Sequence, residues 1–144
     1  MANEVSPEVR AFFDRFERAS EALDVGAIAP MFAEVFMNAD PAGVTAIPRS
    51  AFIAALPQRQ KFFDAIGART IRLTALGETR LDDNYLLVDT HWIAELGNDG
   101  RETLPLSSSF ILRREGEALV VVFYLNHQDI VDIVRSRSIR PPGE

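Results

Sequence analysis

The sequence predicts an α+β fold in which three N-terminal helices cover one side of an antiparallel β-sheet, and two observations carry that reading. Up to Gly67 the apolar residues recur at three- and four-residue steps, the period of a helix with one buried face. From Ala68 onward they fall into four runs separated by turn residues, close enough in sequence to join antiparallel neighbours. The 144 residues suffice for one domain spanning 1–144, with a single core.

Ser6 followed by Pro7 marks a helix start, and Val9, Phe12, Phe13, Phe16, Ala19 and Leu23 then trace one apolar stripe. Asp24 is placed to cap a second helix near 25–36 bearing Ile28, Met31, Phe32, Val35 and Phe36, although Pro30 argues for a short or broken element. The segment NADPAG (38–43) then breaks the chain. Ser50 is expected to cap a third helix with Phe52, Ile53, Leu56, Phe62, Phe63 and Ile66 on its apolar side, Pro57 as a kink and Gly67 as the stop.

The strands are expected near 68–80, 84–96, 102–114 and 118–127, with LDDN, GNDG and REGE as the turns. In the second, Leu86, Val88, Thr90, Trp92, Ala94 and Leu96 share the helix-covered face, leaving Tyr85, Leu87, Asp89, His91, Ile93 and Glu95 outside. In the third, Leu104, Leu106, Ser108, Phe110 and Leu112 face inward, opposite Ser107, Ser109 and Arg113. The last strand is apolar on both faces: strict alternation sets Leu119, Val121, Phe123 and Leu125 against Val120, Val122 and Tyr124. A strand apolar on both sides in so small a protein implies that its outer face meets a second copy of the chain, so a homodimer is expected.

Composition narrows the function. Fifteen Lys and Arg against 21 Asp and Glu leave a net charge of −6, which repels a phosphate backbone, so nucleic acid is not an expected partner. No apolar run approaches the roughly 20 residues needed to span a bilayer, and the N-terminus lacks a basic start and an apolar signal core, so no membrane association and a cytoplasmic location are expected. With no cysteine and only His91 and His127, thiol chemistry is excluded and no metal is expected. No glycine-rich phosphate loop is present, and no cofactor is implied.

The order of elements, together with LDVGAIAPMFAEVF and LVVVFYLNHQDI, resembles the nuclear transport factor 2-like superfamily over about residues 8–135. That group includes ketosteroid isomerase, scytalone dehydratase and the SnoaL-like polyketide cyclases, and YLNHQDI looks like an uncharacterised bacterial branch of it. The resemblance implies a cystatin-like cone, a curved sheet wrapped round a long helix with an apolar pocket at its open end. Ketosteroid isomerase uses an Asp base with an oxyanion hole made by a Tyr and a protonated Asp. NADPAG resembles the Asp-Pro stretch that carries that base, which gives the role to Asp40. The other two roles have no counterpart: the first helix offers Phe12, Phe13 and Phe16 but no Tyr, and Ser107, Ser108 and Ser109 stand where the oxyanion acid is expected. Steroid isomerisation therefore does not carry over.

Two residues are catalytic candidates. Asp40 before Pro41 is a base at the pocket mouth or a turn residue. His127 is an imidazole at the rim, oriented by Asp129, or part of a strand exit in which Asp129 caps a helix bearing Ile130, Ile133 and Val134. Asp89 and His91 share a face two residues apart, but it is the outer one. Phe16, Trp92, Ser108, Phe110 and Tyr124 are the candidate ligand-binding residues, although aromatics at strand spacing also build cores. Arg59, Lys61, Arg69 and Arg72 offer charge for an anionic ligand or a solvated face. Three functions remain open: an acid-base enzyme of isomerase, dehydratase or cyclase type on a small apolar substrate, a non-catalytic receptacle, and a dimeric interaction module using the outer sheet face.

Overall fold

Helix α1 (Pro7–Ala22) begins where Ser6 stands: its hydroxyl accepts a hydrogen bond from the Val9 N–H at 3.3 Å, and Pro7 occupies the first turn, where no N–H is needed. The start is tied to the sheet, because Glu78 Oε1 accepts from both Ser6 N–H and Ser6 Oγ at 2.9 Å. The helix ends at Leu23, whose left-handed φ of 51° turns the chain. Residues 5–97, 102–129 and 132 are described by this computed structural model.

The second helix is much shorter than its apolar period predicts. Capped by Asp24, whose Oδ1 accepts from Ala27 N–H, α2 covers only Val25–Ile28, and a 3₁₀ turn over Ala29–Met31 follows. From Phe32 the chain is a strand, β1 (Phe32–Asp40), hairpinned to β2 (Gly43–Pro48). Pro30 has no N–H to continue the helix, and pairing with a neighbouring strand then outweighs the helical spacing of Met31, Phe32, Val35 and Phe36. NADPAG is thus the end of β1 and the turn into β2. Helix α3 (Arg49–Ala65) starts after Pro48 with no side-chain cap, so Ser50 lies inside the first turn rather than capping it, and the helix runs on through Pro57. Gly67, at φ +75°, ends the helical region as expected.

The four predicted strands are present as β3 (Ala68–Arg80), β4 (Tyr85–Leu96), β5 (Glu102–Glu115) and β6 (Ala118–Asn126). Asp82 makes the LDDN turn by accepting from Asn84 and Tyr85 N–H at 2.8 and 2.9 Å, and Gly116 at φ +62° makes the REGE turn; residues 98–100 of GNDG fall outside the described residues. The sheet runs β2-β1-β6-β5-β4-β3. Its neighbours are antiparallel except β1 and β6, which pair in parallel and make the sheet mixed.

One irregularity in β6 corrects the predicted faces. Ile111 pairs with Phe123 while Leu112 pairs with Val121, so Val122 is an extra residue, a β-bulge, and the alternation reverses there. Leu119, Val121 and Tyr124 are buried on the helix side, and Phe123 and Leu125 turn to the outer face. Strict alternation assigns Tyr124 outward and the other two inward, so all three are reversed by the bulge.

The core is built of rings. Phe16 meets Phe13, Phe32, Trp92 and Phe110, with an edge-on approach to Phe110 at 5.6 Å between centroids. Phe110 stacks on Tyr124 at 4.6 Å and 13°, and Phe32 packs on Phe36 and Phe52. A smaller cluster joins Phe63 of α3 to Ala94, Leu96 and Leu106 at the other end of the concave face. Phe110, 1% exposed at the junction of α1, β5 and β6, should cost about 3–5 kcal/mol of stability when cut to Ala, since the cavity left among rigid rings cannot collapse. Denaturant unfolding of Phe110→Ala, with a lower midpoint and an unchanged slope, checks this.

Candidate functional site

The concave face is shared by two helices that leave space between them. Phe16, Glu17 and Ser20 of α1, Phe52, Leu56, Arg59 and Phe63 of α3, and Trp92, Ser108 and Tyr124 of the sheet enclose a cavity of about 170 Å³. Phe16, Trp92, Ser108 and Tyr124 therefore stand in its wall. Phe110 does not: it lies one layer back, between Phe13, Phe16 and the stacked Tyr124 ring, where it supports the wall.

A polar row crosses the sheet floor. Trp92 Nε1 donates to Thr90 Oγ1 at 2.7 Å, and the fully buried Thr90 hydroxyl donates to the Ser108 carbonyl at 3.0 Å. Ser108 Oγ donates to Asn126 Oδ1 at 3.0 Å, which leaves the Asn126 amide NH₂ with no acceptor among the described residues. The bulge puts Asn126 here: two residues beyond Tyr124, it shares the inner face.

The consecutive polar residues Asn126, His127, Gln128 and Asp129 divide between several tasks. Asn126 and Gln128 line the cavity, with Gln128 Oε1 accepting from Ser107 N–H at 2.8 Å and its Nε2 donating to Ser107 Oγ at 3.2 Å. Asp129 Oδ1 accepts from Asp132 N–H at 3.1 Å, the capping geometry expected of a strand exit; Ile130, Ile133 and Val134 fall outside the described residues.

His127 points the other way and is not in the cavity wall. On the outer face its Nε2 lies 2.8 Å from Ser109 Oγ, which donates to Asp89 Oδ1 at 2.6 Å. The serine bridges the other two, unlike a Ser-His-Asp triad, in which the imidazole is central and takes the hydroxyl proton. Here the Ser109 proton is committed to a carboxylate, so Oγ accepts from the ring N–H. The predicted partnership of His127 with Asp129 is replaced by this one.

Asp40 is exposed in the β1–β2 turn, where its Oδ1 accepts from Ala42 N–H at 2.8 Å and Gly43 N–H at 3.2 Å. It is absent from the cavity wall, and its carboxylate is occupied in the way turn aspartates usually are. The expected position at the pocket rim is therefore corrected for both Asp40 and His127, the first by local turn chemistry and the second by the parity of the bulged strand.

Sequence reasoning gives no role to Glu17 or Asn126 as wall residues and weighs Arg59 as part of a solvated face. Arg59 has its guanidinium carbon 5.7 Å from the Phe63 ring centroid and 5.8 Å from that of Tyr124. Lys61 is exposed, Arg72 approaches Glu95 at 3.9 Å, and the side chain of Arg69 falls outside the described residues. Glu17 Oε2 accepts from Leu73 N–H at 2.7 Å, fixing that carboxylate against β3. A carboxylate directly after Phe16 in the first-helix stripe is the available signal for Glu17; for Asn126 no signal precedes knowledge of the bulge. Among the described residues no group of three His, Asp or Glu is placed to hold a metal, and no helix is long and apolar enough to cross a membrane.

Neither a family profile nor a curated protein sequence matches the chain. Solved structures do. The Streptomyces protein Aln2 is 19% identical over 92% of this chain and 98% of its own, with a TM-score of 0.69. An NTF2-like protein of unknown function from Shewanella oneidensis is 12% identical over 84% and 97%, at 0.67. An NTF2-like protein with a cystatin-like fold from Novosphingobium aromaticivorans is 16% identical over 93% and 88%, at 0.66. At these identities the likeness is one of architecture: the chain has the NTF2-like, cystatin-like fold.

Asp40→Ala should lower stability by about 1 kcal/mol, through loss of the turn hydrogen bonds, without altering occupancy of the cavity. His127→Ala should likewise leave it unaltered, and titration of both variants with toluene checks the two together.

Proposed function

We propose that this NTF2-like fold serves as a receptacle for one small, largely apolar molecule. The observation that carries the reading is the cavity of about 170 Å³ walled by Phe16, Phe52, Leu56, Trp92 and Tyr124. An apolar cavity of about 150 Å³ is enough to hold benzene, so the space suits a single-ring body with small substituents. Binding is favoured over acid-base turnover because neither Asp40 nor His127 lines the wall, and Glu17, its half-buried carboxylate, is held by the Leu73 amide. Isomerase, dehydratase or cyclase chemistry would have to fall to Glu17 or to the exposed Glu21, the carboxylates that line the cavity, and is the weaker reading.

Toluene should perturb the emission of Trp92, the only tryptophan, in a saturable manner at millimolar concentration or below. Leu56→Trp, which fills the space, should remove saturation measured by ligand-observed NMR while the far-ultraviolet circular dichroism stays that of the wild type. Absence of saturable binding to the wild type overturns the receptacle.

A second reading concerns the outer face, the surface on which the sequence leads one to expect a homodimer. The bulge turns Phe123 and Leu125 outward; Phe123 is paired with Met37, and Ile111, Leu87 and Ile93 continue the apolar surface across β5 and β4. Met37 and Val35 are 37% and 59% exposed. A face of this kind supports an isologous pair of copies. Phe123→Glu should then give a monomer by light scattering at micromolar concentration; a wild-type protein that is itself monomeric there removes the dimer.

A further inference from the structure

Arg59 is a cation in an unusual position for a chain of net charge −6. Arg80, Arg113 and Arg114 sit beside Asp83, Glu115 and Glu8, and the half-buried Arg49 donates to the Phe32 carbonyl. Arg59 is also half-buried, yet among the described residues its guanidinium has no carboxylate or carbonyl acceptor; it lies only against the faces of Phe63 and Tyr124. Ring faces attract the charge but accept none of its five N–H groups as well as an oxygen does. Those donors stand in the cavity wall.

A second donor lines the same cavity. Asn126 follows Tyr124 by two residues on the same face and lines the cavity, and with Oδ1 engaged by Ser108 its NH₂ has no acceptor among the described residues. The arginine at the Tyr124 ring and the amide two residues beyond that ring supply hydrogen-bond donors to one aromatic-walled space. Among the described residues nothing answers them: Glu17 is held by Leu73, the side-chain amide of Gln60 is turned to Asp64, and Glu21, the other carboxylate of the lining, is exposed and makes no ion pair with Arg59.

We infer that the ligand is a monoanionic carboxylate carrying a single ring or a short branched chain, its apolar body among Phe16, Leu56 and Trp92 and its carboxylate accepting from Arg59 and Asn126. A guanidinium fork matches the two oxygens of a carboxylate and gains strength where water is partly excluded. A monoanion is preferred to a phosphate dianion because Glu17 and Glu21 line the same cavity and repel a second charge. This inference rests on the receptacle reading and adds to it the charge and orientation of the occupant.

The test compares phenylacetate with its neutral isostere phenylacetamide, by Trp92 emission and ligand-observed NMR on the intact protein. Wild type should bind phenylacetate at least 10-fold more tightly than phenylacetamide and more tightly than phenyl phosphate, about the gain of one charge-assisted hydrogen bond over a neutral one. Arg59→Gln should bring phenylacetate down to the level of phenylacetamide while phenylacetamide binding persists, which shows that the variant is folded and its cavity intact. Lys61→Gln, an equal charge change on the exposed part of the same helix, should leave the preference in place. Equal wild-type affinity for acid and amide overturns the anion inference and spares the receptacle; saturable binding of neither acid, amide nor toluene overturns both.

Discussion

The edge-on packing of Phe16 against Phe110, itself stacked on Tyr124, is the contact that sets the arrangement of everything else on the concave face. It fixes the height and direction of α1 over β5 and β6. Phe52 of α3 approaches Tyr124 edge-on from the other side, at 6.2 Å. Two helices thus lean on one pair of stacked rings. Flat rings hold preferred edge and stack geometries rather than flowing together, so the rest of the concave face is not filled. The cavity is the space this arrangement leaves, and Phe16 and Tyr124 belong both to the core and to its wall.

The bulge at Val122 distributes chemistry between the two faces of the sheet. One extra residue reverses the parity of β6, so Tyr124 and Asn126 reach the cavity and Phe123, Leu125 and His127 reach the outer surface. The same step separates two polar systems. On the inside, Thr90, Ser108 and Asn126 form a row that ends in a free donor. On the outside, Asp89, Ser109 and His127 form a row whose central hydroxyl is fully used. These systems lie on neighbouring positions of the same strands and differ only in the face they occupy.

Charge in the cavity is similarly polarised. Glu17 is tied to the backbone of β3, whereas Arg59 rests on aromatic faces that leave its donors open. On the receptacle reading, a wall that is mostly apolar but carries a few open donors would orient an occupant as well as hold it.

Local period and turn residues such as Asp82 and Gly116 are enough to specify the α+β class, the first and third helices, the four later strands and the inward faces of β4 and β5. They also place Phe16, Trp92 and Ser108 correctly, since each sits in a run where the period is unbroken. Tyr124 is named for the cavity on its chemistry, yet parity assigns it to the outer face. What local period cannot encode is settled by pairing between distant parts of the chain. Residues 32–36 have helical spacing yet form β1, because β6, about 90 residues further along, supplies a strand edge whose hydrogen bonds replace those that Pro30 denies to the helix. Asp40 and His127 are chemically suitable bases wherever they stand; a turn and a bulge, both products of strand pairing, direct one to solvent and the other to the outer face. Arg59 reads as one more surface charge until the fold brings Tyr124 beneath it, since a cation-π contact between residues so far apart in sequence exists only after the chain has closed.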